Sequence, residues 1–328
     1  MRFDAARSHA DDADKTPDAT GTNASLYNVS PQALWNSYYG GERKNAPVDL
    51  TASGRLLYRH DIQDGALKID IHRDVRIPEA GERFYGSSGP ASVVQVGDPE
   101  LKPEAHHRVD LGAEQGYNGW SGFLTEQATP GSFRLAAGAS ADRVINFITA
   151  DRAHGQGGIL LNNNAIIYRN VDATVLGATL DGGWQIAPHL GLSGHLDWTH
   201  GQNTTDSRAL YQIPPLEGKV ILEHRESLAE DLAGSLGMRL NFAATQHRVD
   251  AYNSTGSGED TGGQTPGYAV WDLFAGVTVY NHIAISAGIA NIFNKEYHPH
   301  INPLPDGPTT QPLEAPGRAA FVMASVGF

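Results

Sequence analysis

The sequence contains no cysteine and only 3 methionines, and just 19% of its 328 residues are charged. The missing thiols exclude a disulfide scaffold, a thiolate metal site and a cysteine nucleophile. Long apolar runs are missing too: nothing approaches the ~18 uncharged residues of a spanning helix, which excludes a helical membrane protein. The opening residues Met1-Arg2-Phe3-Asp4-Ala5-Ala6-Arg7 lack the apolar centre of an export signal. Positive charge is scarce, 24 Lys+Arg against 37 Asp+Glu, and the net charge of -13 repels a phosphate backbone, so no nucleic-acid partner is expected. Neither a G-x-S-x-G elbow, an H-E-x-x-H pair nor a P-loop occurs, and an enzyme is not expected.

What the chain has instead is alternation. Leu190, Leu192, Gly194, Leu196 and Trp198 interleave with Gly191, Ser193, His195, Asp197 and Thr199, a period of two that makes a strand with one apolar face. Leu236, Met238, Leu240 and Phe242 repeat the pattern opposite Ser235, Arg239 and Asn241. Strands are predicted over 1–8, 54–63, 66–75, 106–117, 133–151, 166–185, 190–199, 216–226, 232–245, 268–280, 283–294 and 318–328, about twelve in all. Short links at 63–65, 186–188, 227–231 and 280–282 alternate with long polar links at 10–49, 78–104, 152–164, 201–213, 250–266 and 295–317. Tight turns at one end and long loops at the other describe an up-and-down antiparallel meander, the pattern of a transmembrane β-barrel. The link 118–131 departs from it, and Phe123-Leu124-Thr125 within it reads as part of a strand; 253–263 reads as a mobile loop.

Alternation by itself fits two structures. In a soluble sandwich the apolar face packs into a core, and in a membrane barrel it meets lipid. Small inward residues such as Ala284, Ser286, Gly288 and Ala290, opposite Ile283, Ile285, Ala287 and Ile289, favour the barrel, as do strands matching a tilted crossing of ~9–11 residues. Asp70, His72, Asp110, Glu114, Asp172, Lys219, Glu223, Arg225, Arg239 and Asp272 are assigned to the inner face, because Lys or Arg facing lipid at mid-depth costs ~2–4 kcal/mol. Trp120, Trp184, Trp198, Tyr268, Tyr280 and Tyr297 are candidates for interfacial aromatic girdles.

Three segments then carry a family resemblance. Gly97-Asp98-Pro99-Glu100-Leu101-Lys102-Pro103-Glu104 resembles the "NPxLKPE" approach to a barrel strand of TonB-dependent outer-membrane receptors. Ala290-Asn291-Ile292-Phe293-Asn294-Lys295-Glu296-Tyr297 is similar to their "NLFNKxY", and Ala315-Pro316-Gly317-Arg318 to the "PGR" before the last strand. The segments Asp151-Arg152-Ala153-His154-Gly155-Gln156, Tyr168-Arg169-Asn170-Val171-Asp172-Ala173, Gln212-Ile213-Pro214-Pro215-Leu216-Glu217-Gly218 and Thr265-Pro266-Gly267-Tyr268-Ala269-Val270 resemble the copper-receptor branch. A final strand ending on Val326 and Phe328 resembles the signal read by the barrel-assembly machinery.

The resemblance implies a family barrel of ~22 strands around an N-terminal plug. Residues 1–328 are then expected to supply the C-terminal part of that barrel, with the plug and the first strands missing. It also implies an outer-membrane location in a Gram-negative bacterium, lipid contact, coupling to TonB through the plug, and uptake of a metal or metal chelate, copper first, with ferric siderophore or cobalamin as alternatives. A soluble β-rich ligand-binding module is the alternative from another class. No resident cofactor is expected. Neutral imidazole ligates Cu(II), Ni or Zn, so His298 and His300 in an external loop are the candidate metal pair.

Overall fold

The computed structural model describes residues 2–8, 31–40, 49–87, 94–119, 129–250, 264–280, 282–301 and 313–327. The elements are β1 (Arg2–Ser8), α1 (Pro31–Tyr39), β2 (Asp49–Ile62), β3 (Gly65–Arg76), α2 (Ala80–Phe84), β4 (Gly86–Ser87), β5 (Gln95–Val96), β6 (Glu104–Tyr117), β7 (Phe133–Arg152), β8 (Ile166–Ala187), β9 (Leu190–Asn203), β10 (Arg208–Ala209), β11 (Glu217–Ala229), β12 (Leu232–Ala243), β13 (Tyr268–Val279), β14 (Ile283–Ala290) and β15 (Ala319–Val326). All fifteen strands belong to one sheet. Its main path runs β1-β2-β3-β6-β7-β8-β9-β11-β12-β13-β14-β15, and the three two-residue strands lie off it. Every neighbouring pair on that path is antiparallel and sequential, a meander. Among the described residues no pairing joins β15 to β1, so this is a barrel wall that is not closed.

Register settles which side each residue takes, because directly opposed residues of adjacent strands project to the same face. Tyr58, Ile69, Leu111, Ala139, Ala178 and Trp198 form one continuous rung, and Leu192, Leu222, Met238, Leu273, Ile289 and Ala320 another. Among the described residues nothing covers this apolar face: Leu56, Leu111, Leu236 and Val322 are between 51% and 77% exposed. A sandwich would hide these side chains between two layers, whereas a single sheet with its apolar side bare needs a nonpolar solvent. The sandwich alternative therefore falls. The other face carries Asp70, Asp110, Ser140, Gly177 and Thr199 in register.

At the short-turn end, Tyr117, Phe133 and Trp184 are direct cross-strand partners on the apolar side. The rings of Tyr117 and Phe133 stack at 5.2 Å between centroids, the start of an aromatic girdle. Towards the long loops the last apolar rung is Ile71, Val109, Ala141 and Leu176; the next is Arg73, His107, Arg143 and Thr174. From Val109 to Tyr117 is eight residues, about 27 Å along the strand. A tilt of ~40° makes that about 21 Å of depth, close to the ~25 Å band of outer-membrane barrels. Residues beyond the Arg73 rung stand outside the bilayer. There β7 bulges between Val144 and Phe147, with Asn146 at φ 58°, as the strand leaves the band.

Inside the wall, Phe274 lies against Gly237 and Phe321 against Gly288. A Cβ on Gly288 would come within 2.6 Å of the Phe321 ring. The glycines admit the rings, and the rings cover backbone that has no side chain of its own.

Several expectations need correcting. The link 10–49 is not simply polar loop, since Pro31–Tyr39 is a helix, and the link 78–104 holds α2 and the β4–β5 hairpin. The strand expected over 283–294 stops at Ala290, because Asn291 and Asn294 adopt φ 51° and turn the chain. Asp172 projects to the outer side, where Arg143 meets it at 3.3 Å above the band. Tyr268 and Tyr297 are not girdle residues: both are half-buried, and their rings contact each other at 4.4 Å. Trp120, Phe123-Leu124-Thr125, residues 253–263 and Phe328 lie outside the described residues.

Candidate functional site

The inner wall is an ionic ladder built by period two. Arg55 Nε donates to both oxygens of Asp70 at 3.0 and 2.8 Å, and His72 lies 3.6 Å from Asp70 and 3.8 Å from Asp110. Arg108 grips Asp110 with contacts of 2.9 and 2.8 Å. Glu114 takes Arg134 at 2.6 Å, Arg59 at 3.5 Å and Lys68 at 3.7 Å. His195 bridges Asp181, at 2.7 Å, and Asp197. Further round the wall Arg225 pairs with Glu223, and Asn241 donates to Asp272. Pairs of this kind, with at least one partner open to solvent, contribute only ~0–1 kcal/mol each. Their effect is to keep fixed charge on a wet surface, beside a cavity of about 700 Å³ lined by Arg55, Arg59, Lys68, Asp70, Arg108 and Asp110.

Above the membrane band the polar contacts become buried and directional. His106 sits between Glu104 Oε1 and Asp142 Oδ2, each at 2.7 Å. The hydrogen bond to Asp142, then that to Glu104, pushes the imidazole pKa up to about 9 against the opposing effect of burial. Burial acts to raise the Glu104 pKa, but His106, the Ile148 N–H and Arg76 outweigh it and hold the carboxyl below its ordinary range. Arg76 also bonds Glu82 at 3.0 Å, so one network ties α2 to three strands. Arg83 of α2 is fully buried, donating to Asp49 Oδ2 at 2.6 Å and to the Leu101 carbonyl at 2.8 Å. A second network joins four external segments: Arg208 bonds Asp151, Asp250 and Asp206, and Arg169 reaches Asp206 at 3.0 Å.

The larger of the two buried apolar clusters among the described residues lies out here as well. Leu34, Trp35 and Tyr38 of α1 pack on Val94, Val96, Ala153, Ala165 and Ile167. Tyr39 Oη donates to the Tyr168 carbonyl at 2.8 Å, and Tyr38 exchanges hydrogen bonds with Asn163. Leu210, from the loop after β9, packs on Val144 and Ala173, which face inward, so this loop folds over the mouth. None of this was legible in the sequence, because α1 has no basic last turn or acidic first turn and its apolar stripe is weak.

The resemblance motifs turn out to be staples. Leu101 is fully buried, Asp98 opens a turn with Leu101 N–H donating to its carbonyl, and Asn170 clamps the Lys102 backbone from both sides at 2.8 and 3.1 Å. Asn291 is 3% exposed: its N–H donates to Asp272, its amide to the Lys295 carbonyl, and its Oδ1 accepts from Lys295 N–H. Asn294 Oδ1 accepts from the Arg318 N–H at 2.9 Å and so sets where the last strand begins. His300 is 3% exposed with its Nδ1 2.7 Å from Thr265 Oγ1, and His298 is half-buried nearby in sequence. Among the described residues no group of three or more His, Cys, Asp or Glu side chains converges to hold a metal ion. Val326 is the register partner of Ile283 on the apolar side.

The family described as "TonB dependent receptor-like, beta-barrel" matches residues 2–292. A comparison with curated proteins gave no match. The chain is similar to the solved structure of the copper transporter OprC, with 25% sequence identity and a TM-score of 0.69, covering 90% of this chain and 43% of that one. It is also similar to the ferric enterobactin receptor PfeA in complex with BCV-L6, at 21% identity and a TM-score of 0.58, covering 85% of this chain and 41% of that one. The siderophore receptor PirA from Acinetobacter baumannii gives 16% and 0.57 over 85% of this chain and 41% of its own. The latter two likenesses speak to fold. The chain spans less than half the length of each of these structures.

Proposed function

Because the chain belongs to the TonB-dependent receptor β-barrel family, we propose that residues 1–328 form the C-terminal part of the wall of a Gram-negative outer-membrane receptor that takes up a metal or metal chelate, with copper as its cargo. The family and the similar structures are receptors and transporters, not enzymes. The observation that carries the cargo is the 25% identity, over 90% of this chain, to a structure described as a copper transporter. In this reading the plug and the opening strands belong to the receptor's N-terminal part, and the energy-coupling protein TonB acts through that plug. Capture occurs at the external mouth, the buried networks of Glu104 and Asp151 hold the loops in place, and the ionic inner wall conducts. Val326 and Phe328 serve the barrel-assembly machinery.

Within this chain His298 and His300 are the candidate metal contacts, with Thr265 orienting the His300 ring. Titration of the intact receptor with Cu(II) and, separately, with a ferric catecholate chelate tests the cargo. Copper binding tighter than chelate binding is the expected result, and the reverse order removes copper. H298A is expected to weaken Cu(II) binding, and T265V, which removes the Thr265 hydroxyl beside His300 Nδ1, to weaken it about tenfold; unchanged affinity in both variants removes the histidine pair.

A further inference from the structure

One rung of the outer wall is basic. Gly54 on β2, Arg73 on β3, His107 on β6 and Arg143 on β7 are direct cross-strand partners in that order. Neighbouring Cα atoms in such a rung lie ~4.5–5.5 Å apart, so the three basic side chains fall within reach of one small anion. They project to the apolar side, one step beyond Ile71 and Val109, where hydrocarbon gives way to headgroups. His107 is exposed, the Arg143 side chain is 58% exposed, and the acidic group paired to the rung on this side is Asp172. In a chain of net charge -13 such a rung stands out.

A groove adjoins it. Ala52 and Gly54 occupy outward positions of β2 that the next turn-ward position fills with Leu56, and among the described residues they bound a cavity of about 490 Å³ together with Ile71, Arg73, His107 and Val109. Arg73 donates to the Ala52 carbonyl, which holds the guanidinium across the outer end of this groove. Since a guanidinium has five N–H donors, that contact leaves others to meet an anion. An apolar floor below and a convergent basic edge above match one chemistry, a phosphorylated amphiphile.

We propose that this groove docks an outer-leaflet lipid, its phosphate against Arg73, His107 and Arg143 and its acyl chain running down over Leu56, Ile71 and Val109. The assignment depends on the outward side of the wall and not on the cargo. Native mass spectrometry of the intact receptor in micelles tests it, with a diphosphorylated, multiply acylated glucosamine disaccharide as the probe. The expected result is retention of that lipid, weakened about fivefold by each of R73Q and R143Q. The charge-keeping pair R73K and R143K retains the lipid, and A52F, which fills the groove, releases it. Equal retention of the dephosphorylated disaccharide or of phosphatidylcholine overturns the proposal. So does unchanged binding in R73Q and R143Q, or full displacement by inorganic phosphate, which would leave a simple anion site. Release from the lysine variants would show that a folding defect, and not lost charge, drives the effect, and overturns it equally.

Discussion

Leu180 gives the sharpest test of the outward apolar band. It lies in the rung Leu67, Ala113, Ala137, Leu180 and Leu196, midway between the Arg73 rung and the Tyr117, Phe133 and Trp184 girdle. It is 42% exposed and supports no packed core. In water, replacing so exposed a leucine by arginine changes stability by about 0.5 kcal/mol or less. At the middle of a bilayer the same change costs ~2–4 kcal/mol, a factor of roughly 30 to 700 in the folding equilibrium at 1.4 kcal/mol per decade. Thr179, its immediate neighbour, faces the inner wall opposite Asp197. T179R therefore places the same charge at the same depth on the wet side, beside a carboxylate, and is expected to cost under about 1 kcal/mol. Urea titration of protein folded into vesicles, read by tryptophan fluorescence, compares the two. A penalty for T179R equal to that for L180R, or none for L180R, would falsify the assignment of faces and with it the barrel.

Other outcomes follow from the external half of the molecule. His106 has a folded pKa of about 9, above its ordinary 6.5, so the stabilisation it gives is complete below ~6.5 and disappears as pH rises through ~9. Protease nicking near residues 77–103 should accelerate over that window in the wild type and lose its pH dependence in H106Q. W35A empties the centre of the external apolar cluster and is expected to cost ~3–5 kcal/mol locally; hydrogen exchange should rise in α1 and 153–167 while β11 to β14 stay protected, and uniform loosening would contradict a separate cap. N291A removes three side-chain hydrogen bonds of a nearly buried residue. A loss of ~1–3 kcal/mol is expected, with faster exchange in β15, whereas loss confined to the 291–301 loop would show that Asn291 does not set the last strand.

The separation of function in this fold is physical. Lipid demands only that one side be apolar, so the outer residues are interchangeable in kind. The inner wall demands hydration and charge, which single-residue alternation provides without any extra structure. Among the described residues, partners at 2.6–3.0 Å that are both nearly fully buried, as for Arg83 and Asp49 or the Asn291 turn, lie in the loops and at strand ends.

Alternation, with the rhythm of short and long links, was enough to determine the meander, the order of the strands and most of their boundaries, since period two is a local property that the chain itself enforces; β2 nonetheless begins earlier, at Asp49, and β9 runs on to Asn203. It also grouped Ala284, Ser286, Gly288 and Ala290 on one side of their strand, a grouping that the register of β13, β14 and β15 reproduces. Tertiary structure alone decided that the leucines and isoleucines face outward, because a strand reads the same whether its apolar side meets lipid or another sheet. It alone folded α1 onto 153–167, placed Asp172 outside with Arg143, and joined Arg208 to Asp151 and Asp250. Those contacts link residues tens of positions apart through loops of no regular period, so nothing in the local pattern encodes them.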